Sequence, residues 1–329
     1  MADPDARPRR PTAPAAPTAV RPVRRVAVVF NPLSAADRSP QRKRELLEAL
    51  AAARVEALLE ETTQSDPGQQ ATRRALERDV DLVVAAGGDG TVMGCVTALA
   101  GTSVPLAVLP MGTGNLLAVN LGLPDELEAA LEVALHGDRR RIDVGAAGDD
   151  RFVVMSGIGF DAAMLRGADP ALKARIGALA YVLSGLRQLR RRPTEFRIRL
   201  DGLPPISRIG QGVLVGNLGK LQGGIEVLPG ADPDDGLLDV AVLETRRLGD
   251  WPRLAGRVLL GRGDRRDGPP LELFRARRVE IDCGQPQPVE HDGEAGARTR
   301  HFAAKALPRA LTLCVPASDP EGRTDRRTR

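Results

Sequence analysis

Aromatic side chains are nearly missing from this chain. Phe, Trp and Tyr make up 2% of 329 residues, with a single Trp and a single Tyr. Trp251 and Tyr181 are therefore the only interfacial aromatics of that type that it could offer a bilayer. Cysteine is scarce and odd in number. Cys95, Cys283 and Cys314 sit in apolar contexts, which argues against a disulfide framework and for small buried residues in a reducing compartment. No apolar run approaches the length of a transmembrane helix, and the Arg-rich N-terminus lacks the hydrophobic segment of a signal peptide. No internal repeat is evident. The net charge of +4 is small for the length. It is compatible with approach to an anionic bilayer, and no nucleic-acid partner is expected. The expected location is cytoplasmic, peripheral at the inner membrane face.

What is present falls into a regular order. Residues 1–22 are rich in Pro, Ala and Arg without periodicity and read as a disordered tail, as does the charged stretch 317–329. From Arg24 to Gly137, strands and helices alternate. The predicted strands are Val26–Phe30, Val55–Glu60, Leu82–Ala86 and Val104–Leu109. The predicted helices are Gln41–Ala53, Pro67–Glu77, Thr91–Ala100 and Asp125–His136. This is the rhythm of a doubly wound α/β domain. After Arg141 the rhythm changes to short β segments: Arg151–Ser156, Phe196–Leu200, Ile209–Gly216, Leu237–Leu243 and Val279–Cys283. They imply an antiparallel, β-rich second unit, a sandwich or a barrel. One helical stretch interrupts it, Leu172–Arg192. That stretch has an apolar stripe and basic ends, which suit either core packing or lipid contact.

Three loops carry the chemistry. Gly87-Gly88-Asp89-Gly90-Thr91 follows an apolar strand and opens a helix. Glycines let main-chain N–H groups approach a ligand, and a helix N-terminus favours negative charge. Asp89 sharpens the reading. A carboxylate beside phosphates is repulsive unless Mg²⁺ or a reacting hydroxyl lies between them, so the motif suggests nucleotide phosphates, a metal and phosphoryl transfer. A tight turn with Asp89 as a helix N-cap uses the same residues. The second loop, Pro110-Met111-Gly112-Thr113-Gly114-Asn115, also follows a strand. Thr113 and Asn115 suit phosphate or adenine, while Asn115 equally suits a helix cap. The third, Asn31-Pro32-Leu33-Ser34-Ala35, opens at the same sheet edge, where such sheets bind ligands. Thr62 and Thr63 follow the second strand and could face the same ligand.

Together these residues resemble the diacylglycerol kinase catalytic-domain family, which includes bacterial lipid kinases, sphingosine kinases and ceramide kinases. The likeness runs from about Arg24 to about Pro316. It continues through Ile142-Asp143-Val144-Gly145, Gly157-Ile158-Gly159-Phe160-Asp161-Ala162, Gly223-Gly224, the run Pro229 to Val240, and His291-Asp292-Gly293-Glu294. The first loop alone is shared with NAD kinases and phosphofructokinases; the aspartate-rich run and the terminal Asp-Gly-Glu are far more specific.

The resemblance implies an ATP- and Mg²⁺-dependent kinase acting on a lipid hydroxyl. Its α/β domain would span 23–143 plus a returning strand near 305–316, with Leu311–Val315 as the candidate. Residues 144–304 would form the lipid-acceptor domain, with the active site in the cleft between them. Nucleotide binding is implied for Asn31, Pro32, Leu33, Ser34, Ala35, Thr63, Gly87, Gly88, Asp89, Gly90, Thr91, Val92, Met93, Gly112, Thr113 and Asn115. Glu294 is implied as the base, with Asp89 beside the catalytic Mg²⁺. Asp143, between Ile142 and Val144 at an expected strand end, is the supporting carboxylate. A structural Mg²⁺ is implied at Asp235 with the carbonyls of Asp232 and Leu237. Asp-Gly is also a common hairpin turn, and Asp232 to Asp235 could be an acidic turn. Met93 and Leu116 depart from the family's frequent residues. No NAD-kinase-like second motif is found, and Asp89 and Glu294 are both present, which argues against a non-catalytic lipid binder. The identity of the acceptor lipid is not encoded in any motif, and a homodimer is left open.

Overall fold

The computed structural model describes residues 22–34, 39–159, 193–221, 226–243 and 271–317. Ala35, Phe160 to Ala162, the Leu172–Arg192 stretch with Tyr181, Gly223-Gly224, Trp251 and the two tails expected to be disordered lie outside those residues, apart from Pro22 and Ala317.

The first half alternates as its sequence pattern predicts: β1 (Arg25–Phe30), α1 (Ser39–Ala52), β2 (Glu56–Glu61), α2 (Gln69–Leu76), β3 (Leu82–Gly87), α3 (Asp89–Leu99), β4 (Leu106–Pro110), α4 (Leu116–Leu121) and α5 (Leu127–His136). The four strands pair in parallel in the order β2-β1-β3-β4. Continuous apolar strands are what a sheet covered on both faces requires. Val26, Val28 and Phe30 of β1 pack with α1 and α5 through Leu46, Leu50, Leu131 and Ala134. Ala27 and Val29, pointing the other way, pack with α2 and α3 through Ala71, Ala75, Cys95 and Leu99. The period-two alternation of one strand thus serves two helical layers.

The second half consists of β5 (Asp138–Ala147), β6 (Asp150–Phe152), β7 (Met155–Ile158), β8 (Thr194–Leu200), β9 (Ile206–Gly210), β10 (Gly212–Gly216), β11 (Leu238–Leu243), β12 (Leu271–Ala276), β13 (Arg278–Gln287), β14 (Val289–His291), β15 (Glu294–Ala295) and β16 (Thr299–Val315). A ten-stranded sheet runs β2-β1-β3-β4-β16-β13-β8-β9, with β5 on β16 and β6 on β5; a six-stranded antiparallel sheet runs β12-β11-β10-β7-β14-β15. Phe152, Ile158, Phe196, Val213, Val240, Ile281 and Phe302 form one buried core shared by the two sheets. The architecture is an α/β doubly wound unit followed by an antiparallel sandwich.

Several expectations change in detail. Leu311–Val315 is the tail of a 17-residue strand. β16 touches β4 in parallel at Leu313 and Leu106, and pairs antiparallel with β5 and β13. The predicted Arg151–Ser156 strand divides at Val153-Val154 into β6 and β7, which belong to different sheets. Ile209–Gly216 divides at Gln211 in the same way. Asp143 is not at a strand end. It lies inside β5, opposite a shift in the β5–β16 register between Leu307 and Leu311. Pro308 cannot donate to the ladder there, and Arg309 takes a left-handed φ of 51°. All three cysteines are buried and unpaired. Burial pushes the Cys95 thiol up to about 12. Among the described residues no helix is long and apolar enough to cross a membrane.

Candidate active site

A cavity of about 410 Å³ opens at the C-terminal edge of β1, β3 and β4, and the β14–β15 hairpin closes one side of it. Leu33, Thr62, Thr63, Gly88, Gly90 and Thr113 line it together with Asp89, Asp292 and Glu294.

The two glycine loops touch backbone to backbone. A Cβ added at Gly112 would lie 2.7 Å from Gly88 Cα, so the approach exists only because Gly112 lacks a side chain. Asp89 then crosses between them. Its Oδ2 accepts the Asn115 N–H at 2.9 Å and its Oδ1 accepts the Leu116 N–H at 2.7 Å. These are free donors at the start of α4, so Asp89 caps the helix of the second loop. The sequence allows a metal-facing acid or a cap on its own helix; the acid caps a different helix, 27 residues away. Burial pushes the Asp89 carboxyl above its usual range. The two amides oppose that shift and the charge of Glu294 adds to it.

Asn115 is spent inside its own loop. It sits at φ 49°, accepts the Gly112 N–H at 3.1 Å and donates to the Gly112 carbonyl at 2.9 Å. Asn31 also works within the framework. Its Oδ1 accepts the Leu33 N–H at 2.9 Å, and its Nδ2 donates to Thr91 Oγ1 at 3.3 Å. Thr63 lines the cavity while its hydroxyl accepts the Asp66 N–H at 3.0 Å. Val92 turns into the core, and Met93 packs against that same cluster. Pro32, Ser34, Gly87, Val92, Met93 and Asn115 are not among the cavity-lining residues.

Glu294 follows a two-residue turn. Asp292 at φ 47° and Gly293 at φ 88° give the left-handed pair that joins tight hairpins. The ordinary Asp-Gly turn and the delivery of Glu294 to the cavity are therefore one feature. Glu294 Oε1 lies beside Gly90, 3.8 Å from where a Cβ would stand.

Asp143 is placed apart from the other expected catalytic groups. It is fully buried and does not line the cavity. Its Oδ1 accepts the Arg309 N–H at 2.6 Å, its Oδ2 accepts the Gly236 N–H at 2.6 Å, and its own N–H donates to Pro233. It joins the β16 bulge to the acidic loop. In that loop, Asp235 Oδ1 accepts the Leu237 N–H at 2.9 Å, and its Oδ2 lies 3.5 Å from Arg275. Arg140 stands 3.8 Å from Asp232 and 3.4 Å from Asp234. Among the described residues no three His, Cys, Asp or Glu side chains gather to hold a metal ion. A site of one carboxylate with main-chain carbonyls is a different kind, and its all-oxygen donors suit a hard cation. The Asp232 carboxyl is raised, first by a hydrogen bond with Asp234 and then by burial. Negative charge there exceeds what the two arginines neutralise, so the residues fit a cation.

Asp292 is the functional candidate that sequence reading passed over. It is buried, lines the cavity and is pushed up to about 7, chiefly by burial. Its Asp-Gly turn was visible in sequence, but its distant main-chain partners were not.

A cavity between two glycine loops with a hairpin-borne carboxylate beside it is an arrangement that suits phosphoryl transfer. The known relatives agree. The diacylglycerol kinase catalytic domain matches residues 25–147, and the YegS C-terminal NAD kinase beta sandwich-like domain matches residues 153–315. A diacylglycerol kinase of Bacillus subtilis is 30% identical over 83% of this chain and 90% of its own length. A probable lipid kinase YegS-like of Chromohalobacter salexigens is 33% identical over 78% of this chain and 82% of its own. A solved putative diacylglycerol kinase from Bacillus anthracis superposes with a TM-score of 0.71 at 25% identity, covering 89% of this chain and 97% of that one. The chain belongs to the diacylglycerol kinase catalytic-domain family, a family of lipid kinases, and is a phosphotransferase.

Proposed function

We propose that the enzyme transfers the γ-phosphoryl group of ATP to the hydroxyl of a membrane lipid, such as diacylglycerol or a sphingoid base. The observation that carries this reading is Glu294, held at the mouth of the glycine-loop cavity beside Gly90. The main-chain groups of Gly88 to Thr91 and Gly112 to Gly114 cradle the phosphates. Glu294 accepts the proton of the lipid hydroxyl as its oxygen bonds to the γ-phosphorus, and the bond to the bridging oxygen breaks to release ADP. Three acids, Asp89, Asp292 and Glu294, face that space. Mg²⁺ carried in with ATP would be held near these acids, would screen them from the phosphates and would neutralise charge on the transferring group. A structural cation would be held by Asp235 with the carbonyls of Asp232 and Leu237, where it supports the loop that Asp143 grips. The acceptor enters from an anionic membrane surface that the protein visits peripherally from the cytoplasm.

The test is direct. Purified protein is incubated with labelled ATP, Mg²⁺ and a total lipid extract, and in parallel with NAD. A phosphorylated lipid and unlabelled NAD are expected. Label in NAD with none in lipid overturns the reading in favour of a soluble-substrate kinase.

A further inference from the structure

We propose that Asp292 is the positioning residue of the transfer: it ties the Glu294 hairpin to the segment joining the two sheets, and so sets where the base stands against the cradle. This rests on the reading of Glu294 as the base.

One arm of the hairpin, β14, is paired to β7 through Val289, Glu290 and His291, and Ser156 Oγ donates to the Glu290 carbonyl at 2.7 Å. The arm that carries Glu294 is the shorter one. β15 is two residues long and lies at the edge of the six-stranded sheet. Its ladder consists of two pairs, Glu290 with Ala295 and His291 with Glu294. Two cross-strand pairs at an open edge leave a strand free to fray. Asp292, in the turn itself, is 3% exposed. Its Oδ2 accepts the Val153 N–H at 2.7 Å, and its Oδ1 accepts those of Val154 at 2.9 Å and Met155 at 2.7 Å. Its own N–H donates to the Met155 carbonyl at 2.8 Å.

The partners explain the choice of a carboxylate. Val153 and Val154 lie between β6, in one sheet, and β7, in the other. Both are buried, outside any strand, and their N–H groups need acceptors. One carboxylate accepts three consecutive donors that no neutral side chain of its size could satisfy. The same segment is anchored from the other side, where the Val154 carbonyl accepts the N–H groups of Asn217 at 2.9 Å and Leu218 at 3.0 Å. The turn is also closed from within, by the Gly293 N–H donating to Glu290 Oε2 at 2.9 Å. Glu294 is thus two residues from a point bolted to the junction of the sheets. Burial makes the carboxyl costly to ionise there, and the Asp89 charge adds to the cost. A group held against that cost earns its place through geometry.

The test is a double-mutant cycle on kcat with ATP binding measured alongside. In Asp292→Asn the volume is kept, but an NH₂ donor replaces one of the accepting oxygens that the N–H groups need. Turnover should fall about 10- to 100-fold, as expected of a misplaced reacting group, while the Kd for ATP stays within about twofold. The decisive arm places Asp292→Asn on a Glu294→Gln background. With no base left to position, the second change should add less than about twofold. Equal losses on both backgrounds would make Asp292 a structural residue and overturn the proposal, with the base reading intact. Near-normal turnover of Glu294→Gln alone would instead remove the base reading. Asp292→Glu, which keeps the charge, should recover part of the turnover that Asp292→Asn loses; recovery no better than Asp292→Ala would count against the proposal.

Discussion

Carboxylates gather at two places in this molecule and are held in different ways. At the cleft, Asp89 and Asp292 accept main-chain N–H groups, and Glu294 stands exposed beside them. At the acidic loop, Asp232, Asp234, Asp235 and Asp239 lie against the guanidinium groups of Arg140 and Arg275. Amides orient a carboxylate without cancelling its charge, whereas guanidinium groups do both. The cleft therefore keeps negative charge available for a cation and a proton. The loop has two guanidinium groups against four carboxylates, so half of its charge is balanced locally, and it serves as a strut between β5, β11 and β16. Substitution of the exposed Glu294 should cost turnover more than stability, and substitutions at the strut should do the reverse.

The largest effect should come from Glu294→Gln. Loss of a general base reduces transfer about 10²- to 10⁴-fold. The residue is exposed, so the melting temperature should barely move. Steady-state turnover with Mg-ATP and mixed micelles, beside a melting curve, checks both halves. A variant that melts several degrees lower with unimpaired turnover would erase the contrast between the two regions.

Asp143→Asn should show the opposite signature. The buried carboxylate accepts from Gly236 and Arg309, and the amide can replace one of those acceptors at most. Breaking a buried charge-assisted bond of this kind costs about 1–3 kcal/mol, a fall of several degrees in Tm. Turnover of the surviving folded enzyme should stay within a few fold. A turnover loss matching Glu294→Gln without a change in Tm would return Asp143 to the catalytic group.

These two acids also mark how far sequence could be read. The turn before Glu294 was legible because an Asp-Gly dipeptide is a local signal; the reading of Glu294 as base came from the family resemblance. The α/β half was legible for a similar reason, since apolar runs alternate with helical stretches and two of them, Leu82–Ala86 and Val104–Leu109, end at glycine loops. The surroundings of Asp143 were hidden because its partners lie 93 and 166 residues away, in the aspartate-rich loop and in a bulge that no sequence pattern announces. The grip of Asp292 on Val153 to Met155 was hidden for the same reason, at separations of 137 to 139 residues. The first half of β5 is charged, Asp138 to Arg141, and β16 contains Lys305, Pro308 and Arg309. Alternation fails in both, so their long pairing could not be anticipated from the chain.

The smallest expected effect sharpens the comparison through pH. Beside the cleft hairpin, His291 is enclosed where the acidic loop is open. Its ring lies between Phe152 and Phe302, with centroids 6.4 Å away on each side. Nδ1 is 2.9 Å from Ser156 Oγ, and Nε2 is 3.6 Å from the Asp150 carboxylate. Burial lowers its pKa below 6.5, and Asp150 opposes that shift only in part. The folded state thus binds this proton less readily than the unfolded state. The stability it contributes is fully present above pH 6.5 and is lost as pH falls through the folded value. Asp89, Asp143, Asp239 and Asp292 have raised values, so their contributions run the other way, growing as pH falls toward the unfolded value of 3.8. His291→Gln removes one of the opposed slopes and leaves the other. The wild-type melting temperature relative to that of the variant should therefore decline between pH 7 and pH 5. Parallel melting curves across that range would show that the ring carries no titration linked to folding.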